Sequence, residues 1–424
     1  MCQGISPEQQ AQLQPNSPRQ PQGFGNSTPR SARCHIALIG RRNTGKSSLL
    51  NLLCNQEISI VSDTKGTTTD AVAKAYELLP LGPVLFYDTA GIDDEGALGQ
   101  QRIAATRKVL YRADIALMVV DEHGLTAEDS ALLTEIQQLN VPVLVAFNKQ
   151  DIHESDATDI AFCQQANVPF VRVSAHNQLG SLELKHQLMQ LAPKEMRQTP
   201  VLAGDLYQQD EHLVCVTPID SAAPKGRIIL PQVQVMREAL DKKALVTAVQ
   251  VDQLAAAIKL KPQLVVTDAQ AIKAVDHIVP ANIPLTTFST LYARQKGDLT
   301  VMNQGAEALD TLADGDHILI AEACSHNVQE DDIGRVKIPK WIKKYSGKDI
   351  QFTVVSGHDF PEDLDKFKLV LHCGGCMINR TEMLRRLREC QRRGIPITNY
   401  GIAISKLQGL LTRVMAPFNI AKAQ

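Results

Sequence analysis

Gly40-Arg-Arg-Asn43-Thr44-Gly45-Lys46-Ser47-Ser48 stands between an apolar run, His35 to Ile39, and the helical pattern Leu49-Leu-Asn-Leu-Leu53. A glycine-bounded loop ending in Lys-Ser works only between a strand and a helix. There the backbone N–H groups at the helix N-terminus close around phosphate. That requirement commits the segment to a parallel α/β sheet carrying helices on its faces. It places Lys46 to bridge β and γ phosphates and Ser47 to ligate Mg²⁺, with Gly40, Asn43, Thr44, Gly45 and Ser48 completing the cradle.

Three further segments follow in an order that fits the same reading, and two of them end apolar runs. Asp88-Thr-Ala-Gly91 offers a carboxylate that holds Mg²⁺ through water and a Gly91 amide for the γ-phosphate. Asn148-Lys149-Gln-Asp151 supplies a carboxylate that accepts two hydrogen bonds from guanine N1 and its exocyclic amine, which adenine cannot return. Ser174-Ala175 stands where GTPases set a backbone N–H on guanine O6. Between the first two motifs, Thr68, with Thr67 next, is the switch residue expected to complete the Mg²⁺ shell. The four motifs together predict binding of GTP and GDP with Mg²⁺, and name Lys46, Asp88, Gly91 and Thr68 as the catalytic set. Ile92 stands where Ras-like enzymes carry a water-orienting glutamine, which predicts slow intrinsic hydrolysis. Asn43 sits as it does in potassium-stimulated GTPases, which this segment resembles, so K⁺ is the expected source of the missing positive charge. A plain turn residue is the other reading of Asn43.

At 424 residues the chain has room for about three domains of ~150 residues. Residues 1–32 are rich in Gln, Pro, Ser and Gly and predict a flexible tail. Apolar runs alternating with helical patterns predict an α/β GTP-binding domain over 33–196, with strands from Ile115 to Val120 and from Val143 to Phe147 among others. A second α/β domain is expected over 197–287 and a third over 288–424. No internal repeat is evident. The net charge of −2 excludes a globally basic nucleic-acid surface. No apolar run approaches the roughly 18 residues of a membrane span. Nine unevenly spaced cysteines predict a reducing, cytoplasmic setting rather than a disulfide framework.

In the third domain, Cys324-Ser-His326 and His372-Cys373-Gly-Gly-Cys376 each follow an apolar strand pattern. Soft donors at two strand ends can converge, because ligands in parallel sheets gather at the carboxyl ends of strands. Spacing alone favours a closed four-ligand zinc site over a 4Fe-4S cluster on the three thiolates. His326 and His372 are either ligands or hydrogen-bonded supports. Asn379-Arg-Thr-Glu382 reads as a helix N-cap followed by an arginine-rich helix, whose Arg380, Arg385, Arg386, Arg388, Arg392 and Arg393 read as a solvated face, with a partner-docking face as the minority reading.

Together these segments resemble the HydF family of FeFe-hydrogenase maturation GTPases. The stretches that carry the resemblance are Ser27-Thr-Pro-Arg-Ser-Ala-Arg-Cys-His-Ile, Val61-Ser-Asp-Thr-Lys-Gly-Thr-Thr-Thr-Asp70 and Asp88-Thr-Ala-Gly-Ile-Asp-Asp94. Ala223-Pro-Lys-Gly-Arg-Ile-Ile-Leu-Pro-Gln232 and both Cys/His clusters belong with them. The Gln/Pro-rich stretch of roughly 25 residues ahead of about Asn26 departs from that pattern. The resemblance implies a Ras/Era-like P-loop GTPase domain, a central dimerisation domain and a C-terminal domain binding a 4Fe-4S cluster on Cys324, Cys373 and Cys376. It reverses the preference for zinc and leaves His326 and His372 as candidate fourth ligands. It also implies a homodimeric scaffold that takes a diiron precursor from radical-SAM maturases and passes it to apo FeFe-hydrogenase. The alternative is an RNA- or ribosome-associated GTPase with a structural zinc.

Overall fold

The computed structural model describes residues 28–54, 72–79, 81–89, 97–193, 200–219, 228–323, 332–361 and 363–418, with the backbone alone for 72 and 97–104. Thr67, Thr68, Gly91, Ile92, Cys324 and His326 lie outside the described residues, as do Lys225, Arg227 and most of the tail.

Three sheets organise the described chain. The first has strands β1 (Cys34–Ile39), β2 (Val72–Leu78), β3 (Gly82–Asp88), β4 (Ile115–Val120), β5 (Val143–Phe147) and β6 (Phe170–Arg172), in the order β2-β3-β1-β4-β5-β6. All neighbours are parallel except the β2–β3 pair. Every residue of β1, β4 and β5 is buried, because helices cover both faces and leave no polar side to alternate with. The strand order switches sides between β1 and β4, and the phosphate loop leaves the end of β1.

The second sheet holds β7 (His212–Val216), β8 (Leu245–Val249), β9 (Leu264–Thr267) and β10 (Leu285–Thr287) in the order β10-β9-β7-β8. The third holds β11 (His317–Glu322), β12 (Gln351–Ser356), β13 (Leu369–His372) and β14 (Ile397–Asn399) in the order β12-β11-β13-β14. Read from either end these are one topology, and both are wholly parallel. Each opens with a histidine bonded to a threonine on its neighbouring edge strand, His212 to Thr247 at 2.7 Å and His317 to Thr353 at 2.8 Å. A structural repeat thus exists where the residues alone gave no sign of one.

β8 is an open edge of the second sheet. Leu245 is 60% exposed there, and Val233 and Leu240 of the adjoining helix Leu230–Asp241 are also exposed. The helix Phe288–Lys296 sends Phe288, Leu291 and Tyr292 into the second core and Ala293 into the third, joining the two.

Candidate functional site

At the end of β1 the loop from Gly40 to Ser47 turns through left-handed backbone at Asn43 (φ 62°) and Gly45 (φ 87°). Asparagine tolerates that region, so the turn accounts for Asn43 by itself. Gly45 has a second constraint: a Cβ there would stand 2.3 Å from the Asn148 amide nitrogen. Asn148, 2% exposed, ties the loop to the base-recognition segment. Its Nδ2 donates to Thr44 O at 2.9 Å, and its Oδ1 accepts from Ala175 N at 3.1 Å. The Ser174 hydroxyl donates to Asp151 Oδ1 at 2.5 Å and accepts from Asn177 N. That hydroxyl holds the exposed Asp151 carboxyl below its usual range. Lys149 is also left-handed (φ 61°) and pairs with Glu122 at 2.8 Å.

Lys46 is buried, and its Nζ donates to Gly40 O at 2.9 Å and Arg41 O at 2.6 Å. The exposed Ser47 hydroxyl donates to Asp88 Oδ2 at 3.1 Å. Two of the side chains assigned to Mg²⁺, Ser47 and Asp88, therefore already face one another; Ser48 is exposed on the same helix, Lys46–Cys54. The sequence did not point to the brace beneath this loop. Arg41 reaches Asp121 at 2.8 Å and Asp129 at 3.2 Å.

In the third domain β11 and β13 run side by side, with Ala321 opposite His372. Their order places the strand reversal between them, the crevice where α/β sheets bind ligands. Ala323 N, the last described amide after β11, donates to Cys373 Sγ at 3.0 Å. Gly375, left-handed at φ 65°, turns its own N–H toward the same Sγ at 3.4 Å. Burial pushes the Cys373 and Cys376 thiols up, while Lys296 pulls Cys376 back. A pair of buried thiolates is disfavoured without positive charge, so the donor set fits a bound metal group, zinc or iron–sulfur. Among the described residues no three His, Cys, Asp or Glu gather as a metal site; Cys324 and His326 are not among them. The buried Cys34, Cys54, Cys163, Cys215 and Cys390 lie apart as core residues.

His372 is fully buried with both ring nitrogens engaged. Arg386 Nη1 donates to Nε2 at 2.9 Å, and Nδ1 donates to Cys373 O at 2.7 Å. Burial and the guanidinium hold its pKa down at about 3, so the ring stays neutral in this tautomer. Arg386, at 0% exposure, also binds Glu382 at 2.6 Å and Gly357 O at 3.1 Å. Glu382 takes His358 on its other side at 2.9 Å. Burial opposes the charge of Glu382, yet His358 and Arg386 hold the carboxyl below its usual range.

The expectation of a solvated face on the helix Arg380–Arg392 holds for Arg388 and Arg392, which are exposed, but not for Arg386, which is buried, or for the half-buried Arg380, Arg385 and Arg393. Asn379 caps the helix, accepting from Glu382 N at 3.0 Å; the reciprocal half of a capping box is absent because Glu382 faces Arg386. Asn379 Nδ2 donates across to Arg112 O at 2.9 Å and to Asp114. Arg385 donates to Leu110 O at 2.8 Å, and Thr381 to Asp114. Asp114 in turn accepts from His35 N on β1 at 2.7 Å. These contacts satisfy the terminal carbonyls of Ala97–Arg112, the helix next in sequence after Asp88-Thr-Ala-Gly91.

Comparison with known proteins agrees with this layout. Residues 35–149 match the family described as 50S ribosome-binding GTPase, 202–297 the Hydrogen maturase F dimerization domain, and 300–417 the Hydrogen maturase F tetramerization domain. The tRNA modification GTPase MnmE of Chromobacterium violaceum is 38% identical over 160 residues, which is 37% of this chain and 34% of that protein. GTPase Der of Nitratiruptor is 40% identical over 126 residues, covering 29% of this chain and 27% of that one. The chain therefore spans about a third or less of the length of these curated relatives. Among solved structures, Aquifex aeolicus Era is 20% identical with a TM-score of 0.32, covering 53% of this chain and 97% of that one.

Proposed function

The chain belongs to the hydrogen maturase F family, and from that membership we propose that it is a GTP-hydrolysing scaffold that carries metallocluster cargo toward FeFe-hydrogenase. The observation that carries this reading is the meeting of β11 and β13 behind a GTPase domain, with the Ala323 amide on the Cys373 sulfur. Cys324, Cys373 and Cys376 would hold a 4Fe-4S cluster, which supplies an iron site open to an incoming ligand when three thiolates hold it. The engaged nitrogens of His372 favour a supporting role for it, which leaves His326 as the side-chain candidate for the fourth position. The cargo is a diiron precursor received from radical-SAM maturases, and apo FeFe-hydrogenase is the recipient.

In the GTPase domain Lys46 neutralises charge on the β and γ phosphates. Ser47 and Thr68 would ligate Mg²⁺ directly and Asp88 through water, with the Gly91 amide on the γ-phosphate. Asp151 and the Ala175 amide select guanine. GTP acts by ordering or releasing the switch loops and so biases which partner docks. The apolar edge of β8 and its flanking helix favour pairing of two copies, since an open edge strand is a template for another. No helix among the described residues is long and apolar enough to cross a membrane.

Anaerobic purification should give protein with about four irons and four acid-labile sulfides per chain, as a dimer by light scattering. Stoichiometric zinc without sulfide would overturn the cluster reading. If Asn43 holds a monovalent cation, GTP hydrolysis measured by phosphate release runs faster in K⁺ than in Na⁺. Equal rates would reduce Asn43 to the turn residue its backbone already explains.

A further inference from the structure

Lys296 ends the helix Phe288–Lys296 and is 6% exposed. Its ammonium lies against the Cys373–Cys376 turn and donates to Gly375 O and Ile378 O, each at 2.9 Å, and to Cys376 O at 3.5 Å. An ammonium carries three protons, so these carbonyls use all of them. The Tyr292 ring covers another side, its centroid 5.3 Å from Nζ. Burial pulls the Lys296 pKa down to about 8, and the Cys376 and Cys373 sulfurs, then Glu382, act to raise it again. Glu382 is already bound by Arg386 and His358. A buried ammonium satisfied only by neutral carbonyls is strongly disfavoured unless an anion lies close. Here the nearest source of one is the pair of sulfurs.

The tie runs in both directions. Arg380, four residues past Cys376, donates to the carbonyls of Gln295 and Gly297, the two neighbours of Lys296. Two cations thus cross between the helix end and the turn, each satisfying the other's backbone. Lys296 lies within the match to the dimerization domain, whereas the turn lies within the match to the domain that follows.

We propose that Lys296 is a positioning residue of the cluster site, contributed by the preceding domain: it fixes the turn that presents Cys376 and sets a buried positive charge beside the thiolates. The hydrogen bonds from Lys296 to Gly375 O and Ile378 O fix the turn by themselves. The charge part rests on the iron–sulfur reading, because cluster potentials follow local charge and hydrogen bonding. Lys296 then raises the reduction potential of the cluster, and the site is complete only when the two domains are docked.

Lys296→Met and Lys296→Arg in the full-length chain test this. Hydrogen exchange of the amides over 374–379 is read on metal-free protein, and the reduction potential on reconstituted protein by an EPR-monitored titration. GTP turnover serves as the folding control, since Lys296 has no part in the nucleotide site. Lys296→Met should speed exchange in the turn about tenfold or more, as loss of charge-assisted hydrogen bonds requires. Its potential should fall below that of the unsubstituted protein, with GTP turnover kept, and Lys296→Arg should restore the potential. Unchanged exchange and unchanged potential in Lys296→Met would overturn the proposal. If the Met variant does not fold, Lys296→Gln, neutral but still a donor, carries the same comparison of potentials. Should the unsubstituted protein hold zinc instead, the cluster reading fails, and the exchange measurement alone decides whether Lys296 fixes the turn.

Discussion

Lys46→Ala should slow GTP hydrolysis by about 10²–10³-fold while iron and sulfide content stay unchanged. The magnitude is that of removing one preorganised group aimed at developing charge. Lys46 is held by Gly40 O and Arg41 O, and the loop beneath it is braced by Arg41 on Asp121 and Asp129. The scaffold therefore survives loss of the ammonium, and only the charge on the phosphates goes. Cys373 lies in another sheet, on another core, so its thiol should not sense the change. Phosphate release measured beside metal content checks this. Loss of both together would mean the substitution unfolds the chain rather than disarming it.

Arg386→Leu should destabilise the third domain by about 3–5 kcal/mol, the usual cost of leaving one member of a buried ion pair alone. Arg386 is 0% and Glu382 1% exposed on their side chains, so water does not replace the lost partner. The loss also frees His372 Nε2 beside Cys373. Trp341 is the chain's single tryptophan and packs on this domain's core, so its fluorescence during urea unfolding reports the right cooperative unit. The paired change Arg386→Leu with Glu382→Leu should recover much of the loss, because no charge is then stranded. A double variant no better than the single one would place the damage in packing instead. Because Glu382 titrates below its usual range in the folded state, its contribution is present above the unfolded carboxyl pKa. It fades as pH falls through the folded value.

What could be read from the residues was what is local. The apolar runs at Ile115–Val120 and Val143–Phe147 appear as strands at those same positions, since burial on both faces leaves no competing periodicity. β12 was missed because Gln351–Ser356 is an edge strand with mixed exposure. β14 escaped because three residues carry no period. The nucleotide motifs are contiguous and legible one by one. What the motifs do not spell out is the link through Asn148, from Thr44 to Ala175. Lys296 and Asp114 had no signal at all. Their partners lie 79 and 265 residues further along the chain, and only the folded arrangement brings them together. Arg386 hid in a run of arginines that looks like a wet face, although one arginine in it is sealed against Glu382.

The floor of the first domain is finished by the last quarter of the polypeptide. Asp114 and the terminal carbonyls of Ala97–Arg112 take their partners from Asn379, Thr381 and Arg385. At ribosomal speeds of about 5–20 residues per second, the 265 residues between Asp114 and Asn379 open a gap of roughly 15–50 s. Through that interval the nascent GTPase domain exposes a carboxylate and a set of carbonyls to water, and it closes only once Asn379, Thr381 and Arg385 have been added. A chain cut short before Asn379 therefore yields a first domain with an open base, distinguishable by its faster proteolysis from the same segment in the finished protein.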